Sequence, residues 1–317
     1  MQTALHIFHI QHNYNKIYRK YADTLGVNAD AVDSIEKIPF LPVQFFKTDA
    51  IVTTQFTPEV IFESSGTTGE NTSRHYVKKL SLYYESFMRG FSLLYGHPHT
   101  WCIMALLPGY SNRQNSSLIT MADHLIKESS NSYSGYYLKN TASLYQALIH
   151  NENNKQPTLL LGVTFALLDF AEQYSMKLHY TTVMETGGMK GRREEITRGE
   201  IHKILKAKLG VQHIHSEYGM TELLSQAYSS QKGLFACPPW MQVLVREEND
   251  PFAITCGIHL EKASQGLLNI IDLANLYSCS FIATDDTGRL YRDGSFEVLG
   301  RRDTSDIRGC SLLSLGD

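Results

Sequence analysis

The sequence predicts an α/β protein: a large body of mostly parallel sheets flanked by helices, followed by a small β-rich section. Two observations carry that expectation. Between residues 101 and 215, short apolar runs alternate with segments of helical spacing, the order of a parallel sheet covered on both faces. After Gly233, short β-like runs follow one another, joined by turn residues. The chain has 317 residues, 43% of them hydrophobic, enough for roughly two folding units of about 150 residues.

The elements follow in order. Residues 11–25 are expected to be helical, and residues 27–58, punctuated by Pro39, Pro42 and Pro58, read as an irregular or short-stranded lead-in. An apolar strand is expected over residues 101–107. In the helix expected over 118–127, Leu118, Met121, Ala122, Leu125 and Ile126 recur at offsets of three and four, one buried face. A helix over 142–150, a strand over 158–163, a helix over 165–173 and a β-rich run over 180–185 continue the alternation. A helix over 192–209, stopped by Gly210, and a run over 211–215 complete it. The β-rich section contains runs at 241–246, 267–273, 280–284 and 295–299, and Asp293-Gly294 between the last two signals a hairpin. The α/β part is thus placed at about residues 1–232 and the β-rich part at 233–299. No internal repeat or low-complexity linker divides them.

Charge and cysteine content exclude several classes. Lys plus Arg number 29 against 32 Asp plus Glu, a formal charge of -3, so no basic excess advertises a nucleic-acid or anionic-membrane surface. The five cysteines are scattered, odd in number and without a CxxC pair, which points to a reducing compartment. The N-terminus lacks a signal-peptide pattern, and no run approaches the roughly 18 apolar residues of a membrane span. The expectation is a cytoplasmic protein that binds no nucleic acid and has no membrane span.

Three segments concentrate chemistry. Ser64, Ser65, Gly66, Thr67, Thr68 and Gly69 bring four hydroxyls and two glycines into six positions, a composition that suits wrapping an anion and equally suits an ordinary turn. It is not a Walker A loop, because Glu70 stands where the lysine would be. Gly187 and Gly188 follow a β-rich run and precede a helix, the carboxyl-end position where open parallel sheets bind ligands. Tyr218-Gly219-Met220-Thr221-Glu222 follows a strand-like run and delivers an aromatic face, a hydroxyl and a carboxylate within five residues. Those groups are able to stack a base, contact a phosphate and hold Mg2+.

Taken together and in order, these three segments resemble the adenylate-forming superfamily of acyl-CoA synthetases, firefly-type luciferases and peptide-synthetase adenylation domains. Thr284-Asp285-Asp286-Thr287-Gly288-Arg289 is similar to the superfamily's TGDLGR element, with Asp285 where glycine is usual, and Gly300-Arg301-Arg302-Asp303 is similar to its hinge GRxD. Within the superfamily the chain most resembles the acyl-protein synthetases of the luminous-bacterial fatty acid reductase complex. That likeness rests on Leu107-Pro108-Gly109-Tyr110 with Arg113 and Ser116-Ser117-Leu118, on Gly187-Gly188-Met189-Lys190, and on Asp306-Ile307-Arg308-Gly309-Cys310-Ser311-Leu312. Phenylacetate-CoA ligases share several of these features.

The resemblance implies an adenylating body over residues 1–299, with 300–317 a hinge-like tail and the family's C-terminal catalytic domain absent. It implies ATP and Mg2+ as cofactors, and activation of a carboxylic acid as acyl-AMP with release of pyrophosphate. Ser64, Ser65, Gly66, Thr67, Thr68 and Gly69 would hold the β- and γ-phosphates. Tyr218, with Gly219 beside it, would stack near adenine next to Gly187 and Gly188. Thr221 would contact the α-phosphate, Glu222 would bind Mg2+, Asp286 would accept from the ribose hydroxyls and Arg301 would reach ribose or phosphate.

Two departures from the family pattern matter. Where many relatives continue the phosphate loop into PKG, Glu70-Asn71-Thr72-Ser73-Arg74 supplies no lysine and offers only Arg74 as a substitute cation, and no lysine follows Lys262, where relatives supply a catalytic one. Cys310 offers a way past the second. As in the acyl-protein synthetases, it would take the acyl group as a thioester, with Arg301, Arg302 and Arg308 favouring its thiolate. The acceptor would be a reductase or carrier protein, and the substrate a fatty or other carboxylic acid. Two alternatives stand beside this reading: a CoA or carrier ligase core that needs a separate C-terminal domain, and a non-catalytic nucleotide or acyl binding subunit.

Other features have plainer readings. The pairs His97 with His99 and His213 with His215 lack further metal-ligand partners at suitable spacing and read as ordinary histidines, His215 alone leading into the Tyr218 segment. Arg192, Arg193, Glu194 and Glu195 read as a solvated helix start. Residues 161–168 read as core or as a wall of the acyl pocket.

Overall fold

The computed structural model describes residues 2–64, 72–107, 115–187, 197–250 and 252–302. Helices α1 (Gln2–Tyr14) and α2 (Lys16–Thr24) open the chain. The helix expected over 11–25 is therefore two helices, broken at Asn15. The Asn15 side chain accepts from the Tyr18 N–H at 3.1 Å and caps α2, as a short amide does best. The lead-in holds only β1 (Leu41–Pro42) and α3 (Phe45–Thr48) besides single turns. An antiparallel hairpin, β2 (Val60–Glu63) with β3 (Arg74–Val77), and a long helix, α4 (Leu80–Tyr95), come next.

The expected alternation is then observed: β4 (Cys102–Leu106), α5 (Ser117–Ser129), β5 (Gly135–Tyr136), α6 (Thr141–Asn153), β6 (Thr158–Val163), α7 (Thr164–Gln173), β7 (Thr181–Thr186), α8 (Arg198–Leu209), β8 (Ile214–Tyr218) and β9 (Ala227–Ser229). The strands form a six-stranded sheet in the order β5-β4-β6-β7-β8-β9, parallel except where β9 returns antiparallel to β8. Strand β4 is buried at every residue and β6 at all but its last, as a sheet covered on both faces demands. One face packs on α6, α7 and α8 through Leu144, Leu167, Phe170 and Leu205; the other packs on α4 and α5 through Phe87, Phe91, Ile119 and Leu125.

The β-rich section comprises β10 (Leu234–Phe235), β11 (Met241–Arg246), β12 (Ile254–Cys256), β13 (Ser264–Asp272), β14 (Phe281–Leu290) and β15 (Phe296–Arg301). Together with β1 they make a seven-stranded sheet, antiparallel apart from the β1–β14 pair. Its apolar face buries α1 and α2: Phe281 is fully buried and meets the rings of Phe8, Tyr18 and Phe40.

Three boundaries differ from expectation for physical reasons. Strand β8 starts at Ile214 rather than 211, because its ladder with β7 begins at Val183↔Ile214. Strand β14 continues past 284 to Leu290 because β15 pairs with its second half, with an irregularity between Thr287 and Gly288. The boundary expected at 300 falls inside β15, where Gly300 pairs with Thr287 and Arg301 with Asp286. Gly294, at φ +82°, makes the β14–β15 turn as the Asp-Gly signal predicts. The cysteines among the described residues, Cys102, Cys237, Cys256 and Cys279, are unpaired, and no described helix is long and apolar enough to cross a membrane.

Candidate active site

Parallel neighbours β7 and β8 end side by side, with Thr186 opposite Glu217. Gly187 leaves β7 at φ +75°, a conformation that suits glycine, and its carbonyl accepts from the Thr164 hydroxyl at 2.7 Å. Tyr218 closes β8 instead of standing in the following loop. Its ring is buried, edge-on to Phe235 and Phe296 at 5.9 and 5.5 Å, and its hydroxyl donates to Asp286 Oδ2 at 2.8 Å. The ring expected to stack near adenine is 8% exposed, with Phe235 and Phe296 of the β-rich section packed against it.

Asp286 lies on β14 directly opposite Arg301 of β15, and the Arg301 Nε stands 3.9 Å from Asp286 Oδ1. Burial raises the Asp286 carboxyl above its usual range, against the hydrogen bond from Tyr218 and the charge of Arg301. Asp285, standing where the family prefers glycine, is engaged elsewhere: Gln44 Nε2 donates to both its carboxylate oxygens at 2.7 Å.

The segment after β8 carries Thr221, half-buried, and Glu222, buried. Burial pushes the Glu222 carboxyl up, opposed by the Ser73 hydroxyl, its own backbone N–H and the charge of Arg301. Ser73 also closes the base of the hydroxyl-rich loop, since its N–H donates to Ser64 Oγ at 3.0 Å and its carbonyl accepts from the Ser64 N–H at 3.1 Å. The chain thus brings together Ser64, Gly187, Tyr218, Gly219, Thr221, Glu222, Asp286 and Arg301 from two sheets and a hairpin. Ser65, Gly66, Thr67, Thr68, Gly69, Gly188 and Cys310 lie outside the described residues, and Arg74 is the exposed first residue of β3.

Several residues that the sequence reading passed over support this site. The His75 Nδ1–H donates to the Thr221 carbonyl at 2.9 Å, and burial pushes this imidazole down to about 4. Asn275 Nδ2 donates to the Glu222 carbonyl at 2.7 Å. Asp272, fully buried, accepts from the N–H groups of Leu224 and Ser225 at 2.8 and 3.0 Å and from the Ser225 hydroxyl at 2.6 Å. The available signal was a carboxylate, Asp272, and two amides, Asn269 and Asn275, interrupting the apolar run from Leu267 to Leu276.

Two buried glutamates flank the strand ends. Glu217 accepts from the Thr186 hydroxyl, and burial pushes its carboxyl up to about 7, with that hydrogen bond opposing and Glu185 reinforcing. A side chain at Gly219 would meet Glu217 Oε1 and displace that carboxyl from its place beside Thr186. Glu185 faces the opposite side of the sheet. Burial would raise it, but His202, Arg198 at 3.1 Å and Ser216 together hold it below the usual range. His215 Nδ1 meets the Tyr95 hydroxyl at 3.0 Å, and burial pushes the ring down to about 4.

The family profile of acyl-protein synthetase, LuxE, matches residues 2–316, nearly the whole sequence. The chain belongs to the LuxE acyl-protein synthetase family. No curated protein matches the sequence. Among solved structures, 2-hydroxyisobutyryl-CoA ligase with 2-HIB-AMP superposes at a TM-score of 0.67 and 10% identity, covering 95% of this chain and 66% of that one. ATP-bound MatB from Rhodopseudomonas palustris gives 0.53 at 15% identity, covering 78% and 50%. MenE from Bacillus subtilis with AMP gives 0.51 at 16% identity, covering 76% and 49%. At such identities the likeness is one of fold, that of adenylate-forming ligases. This LuxE-family chain spans about half the length of MatB and MenE.

Proposed function

We propose that this chain activates a carboxylic acid, fatty acyl in kind, with ATP and Mg2+, and passes the acyl group through a thioester on Cys310 to a reductase or carrier protein. The observation that carries the reading is the meeting of Glu222, Tyr218, Asp286 and Arg301 beside the carboxyl ends of parallel strands, within a chain of the LuxE family. In the first step a carboxylate oxygen attacks the α-phosphorus and the bond to the β-phosphate oxygen breaks, releasing pyrophosphate. In the second the Cys310 thiolate attacks the acyl carbon and AMP departs with the electron pair of the broken C–O bond.

Two anions must meet in the first step, so the chain's task is to position them and offset charge. Asp286 Oδ1, left free by Tyr218, is suited to accept from ribose hydroxyls, and Arg301 brings a cation to the same rim. Ser64 through Gly69 would line the β- and γ-phosphates and Thr221 the α-phosphate. Gly187, where a side chain would meet nothing within 4 Å, would offer open backbone to the base, with Gly188 and Gly219 beside it as the resemblance implies. Glu222 fits Mg2+ in the manner of nucleotide-borne magnesium, through one carboxylate with phosphates completing the shell. Its buried carboxyl, lifted by desolvation, gains from a cation, and no described trio of acids, histidines or cysteines forms a protein-only metal site. When bound, the ion neutralises phosphate charge.

The test is incubation of the full chain with ATP, Mg2+ and a panel of carboxylic acids of graded chain length, following ATP–pyrophosphate exchange and intact mass. Acid-dependent exchange and a hydroxylamine-labile acyl adduct are expected, the adduct alone disappearing in Cys310→Ser. Silence across the panel overturns the adenylation step, and a Cys310→Ser variant that still acylates overturns the thioester.

A further inference from the structure

The backbone from Thr221 to Ser225 is gripped by side chains from two distant parts of the chain. His75, on β3 and therefore just beyond the hydroxyl-rich loop, donates to the Thr221 carbonyl. Asn275, in the turn between β13 and β14, donates to the Glu222 carbonyl, and Asp272 takes the Leu224 and Ser225 N–H groups. At Thr221 and Glu222 the two donors take backbone carbonyls, so neither spends the Thr221 hydroxyl or the Glu222 carboxylate, which the Ser73 hydroxyl approaches from the loop side.

Each gripping group is itself fixed. His75 is buried edge-on against Phe46 at 5.9 Å, and because a carbonyl only accepts, its Nδ1 must carry the hydrogen. Gln11 of α1 donates to the Asn275 carbonyl at 3.0 Å and to Ser280 Oγ at 3.2 Å, and accepts from the Ser280 N–H at 2.9 Å. The turn that presents Asn275 is thus bolted to the N-terminal helices.

We infer that His75 and Asn275 are positioning residues that clamp the Thr221–Glu222 peptide and join it to the phosphate-loop hairpin on one side and the N-terminal helices on the other. The inference rests on the adenylation reading for its catalytic consequence but not for the clamp itself. A group held this way is preorganised: its side chains meet a nucleotide without first ordering their own backbone. Loss of either donor leaves a carbonyl of this peptide, buried at Glu222 and partly buried at Thr221, without its partner and releases the peptide locally.

Hydrogen–deuterium exchange of the full-length chain tests the clamp directly, with Asn275→Asp and His75→Leu compared against His75→Asn, whose amide donates from nearly the position of Nδ1. The amides of residues 223–225 are expected to exchange about tenfold faster in the first two variants and at the wild-type rate in His75→Asn. Wild-type protection there in both loss variants overturns the inference, as does loosening spread evenly over the chain. If either variant does not fold, the contrast between His75→Leu and His75→Asn, or Asn275→Ser with its shorter donor, gives the same reading. Pyrophosphate exchange on the same samples is expected to lose about tenfold in kcat in the loss variants, with KM for the acid unchanged. A wild-type chain without pyrophosphate exchange would sink the adenylation reading, while the deuterium result still decides the clamp.

Discussion

Gly187 and Tyr218 sit where strands of the parallel sheet run out into turns, whereas Asp286 and Arg301 face one another across the antiparallel sheet, as the end pair of the β14–β15 ladder. Strand ends are aimed by their outgoing turns: a positive φ at Gly187, the close approach of Glu217 Oε1 to Gly219, and side-chain clamps on residues 221–225. Ladder positions are aimed by register alone, and a slip of one residue would turn Asp286 away from Arg301 and Tyr218. The site therefore depends on two kinds of accuracy, local turn chemistry on one sheet and global packing on the other.

The strongest challenge to this comparison is Phe281→Ala, which removes the ring where β14 meets α1 and α2 and is expected to cost about 3–5 kcal/mol by denaturant titration. A loss below 1 kcal/mol would mean that packing does not hold the antiparallel ladder. Next comes Glu217 on the parallel side. Its folded-state value of about 7 lies above the unfolded carboxylate value of 4.5, so the native chain keeps a proton that the unfolded chain gives up. Stability is fully present below about pH 4.5 and falls as pH rises to 7, by about 3 kcal/mol at most. Glu217→Gln should flatten that slope and be the more stable protein at pH 8, as read by melting temperature across pH; an unchanged slope removes Glu217 from the account.

Tyr218→Phe joins the two sheets in one test. It deletes the hydroxyl donated to Asp286, leaves a buried carboxyl oxygen without its donor, and should cost about 1–3 kcal/mol. A neutral outcome would show the two regions to be energetically independent. At the small end, Arg89→Ala breaks the exposed pair with Glu85 on α4, remote from both ladders, and melting temperature should stay within about 2 °C of wild type.

Much of the parallel region was legible because burial on both faces writes continuous apolar runs: β6 begins and ends where expected, and β4 and β7 lie within one residue of expectation at each end. Helix α4 was not anticipated. Tyr83, Phe87 and Phe91 recur at helical spacing, but aromatic residues, Ser86, Ser92 and Gly90 are weak helix formers, and Lys79 supplies no capping hydrogen bond. The antiparallel region was legible only in pieces, because β14 runs through Thr284-Asp285-Asp286, a polar cluster that reads as a loop. The motif positions came from resemblance, whereas His75, Asn275 and Glu217 act through contacts 146, 53 and 31 residues away in the chain, which no local pattern records.

Strand β14 also orders events in time. Its first half pairs with β1 through Leu41↔Ile282 and receives Phe8 and Tyr18, partners translated some 240 residues earlier. At about 5–20 residues per second, the first fifty residues therefore emerge and wait roughly ten to fifty seconds before their sheet exists. During synthesis their apolar face needs a chaperone or some other temporary cover, so a slow codon stretch placed just before Phe281 would lengthen the period in which the nascent chain is most prone to aggregate.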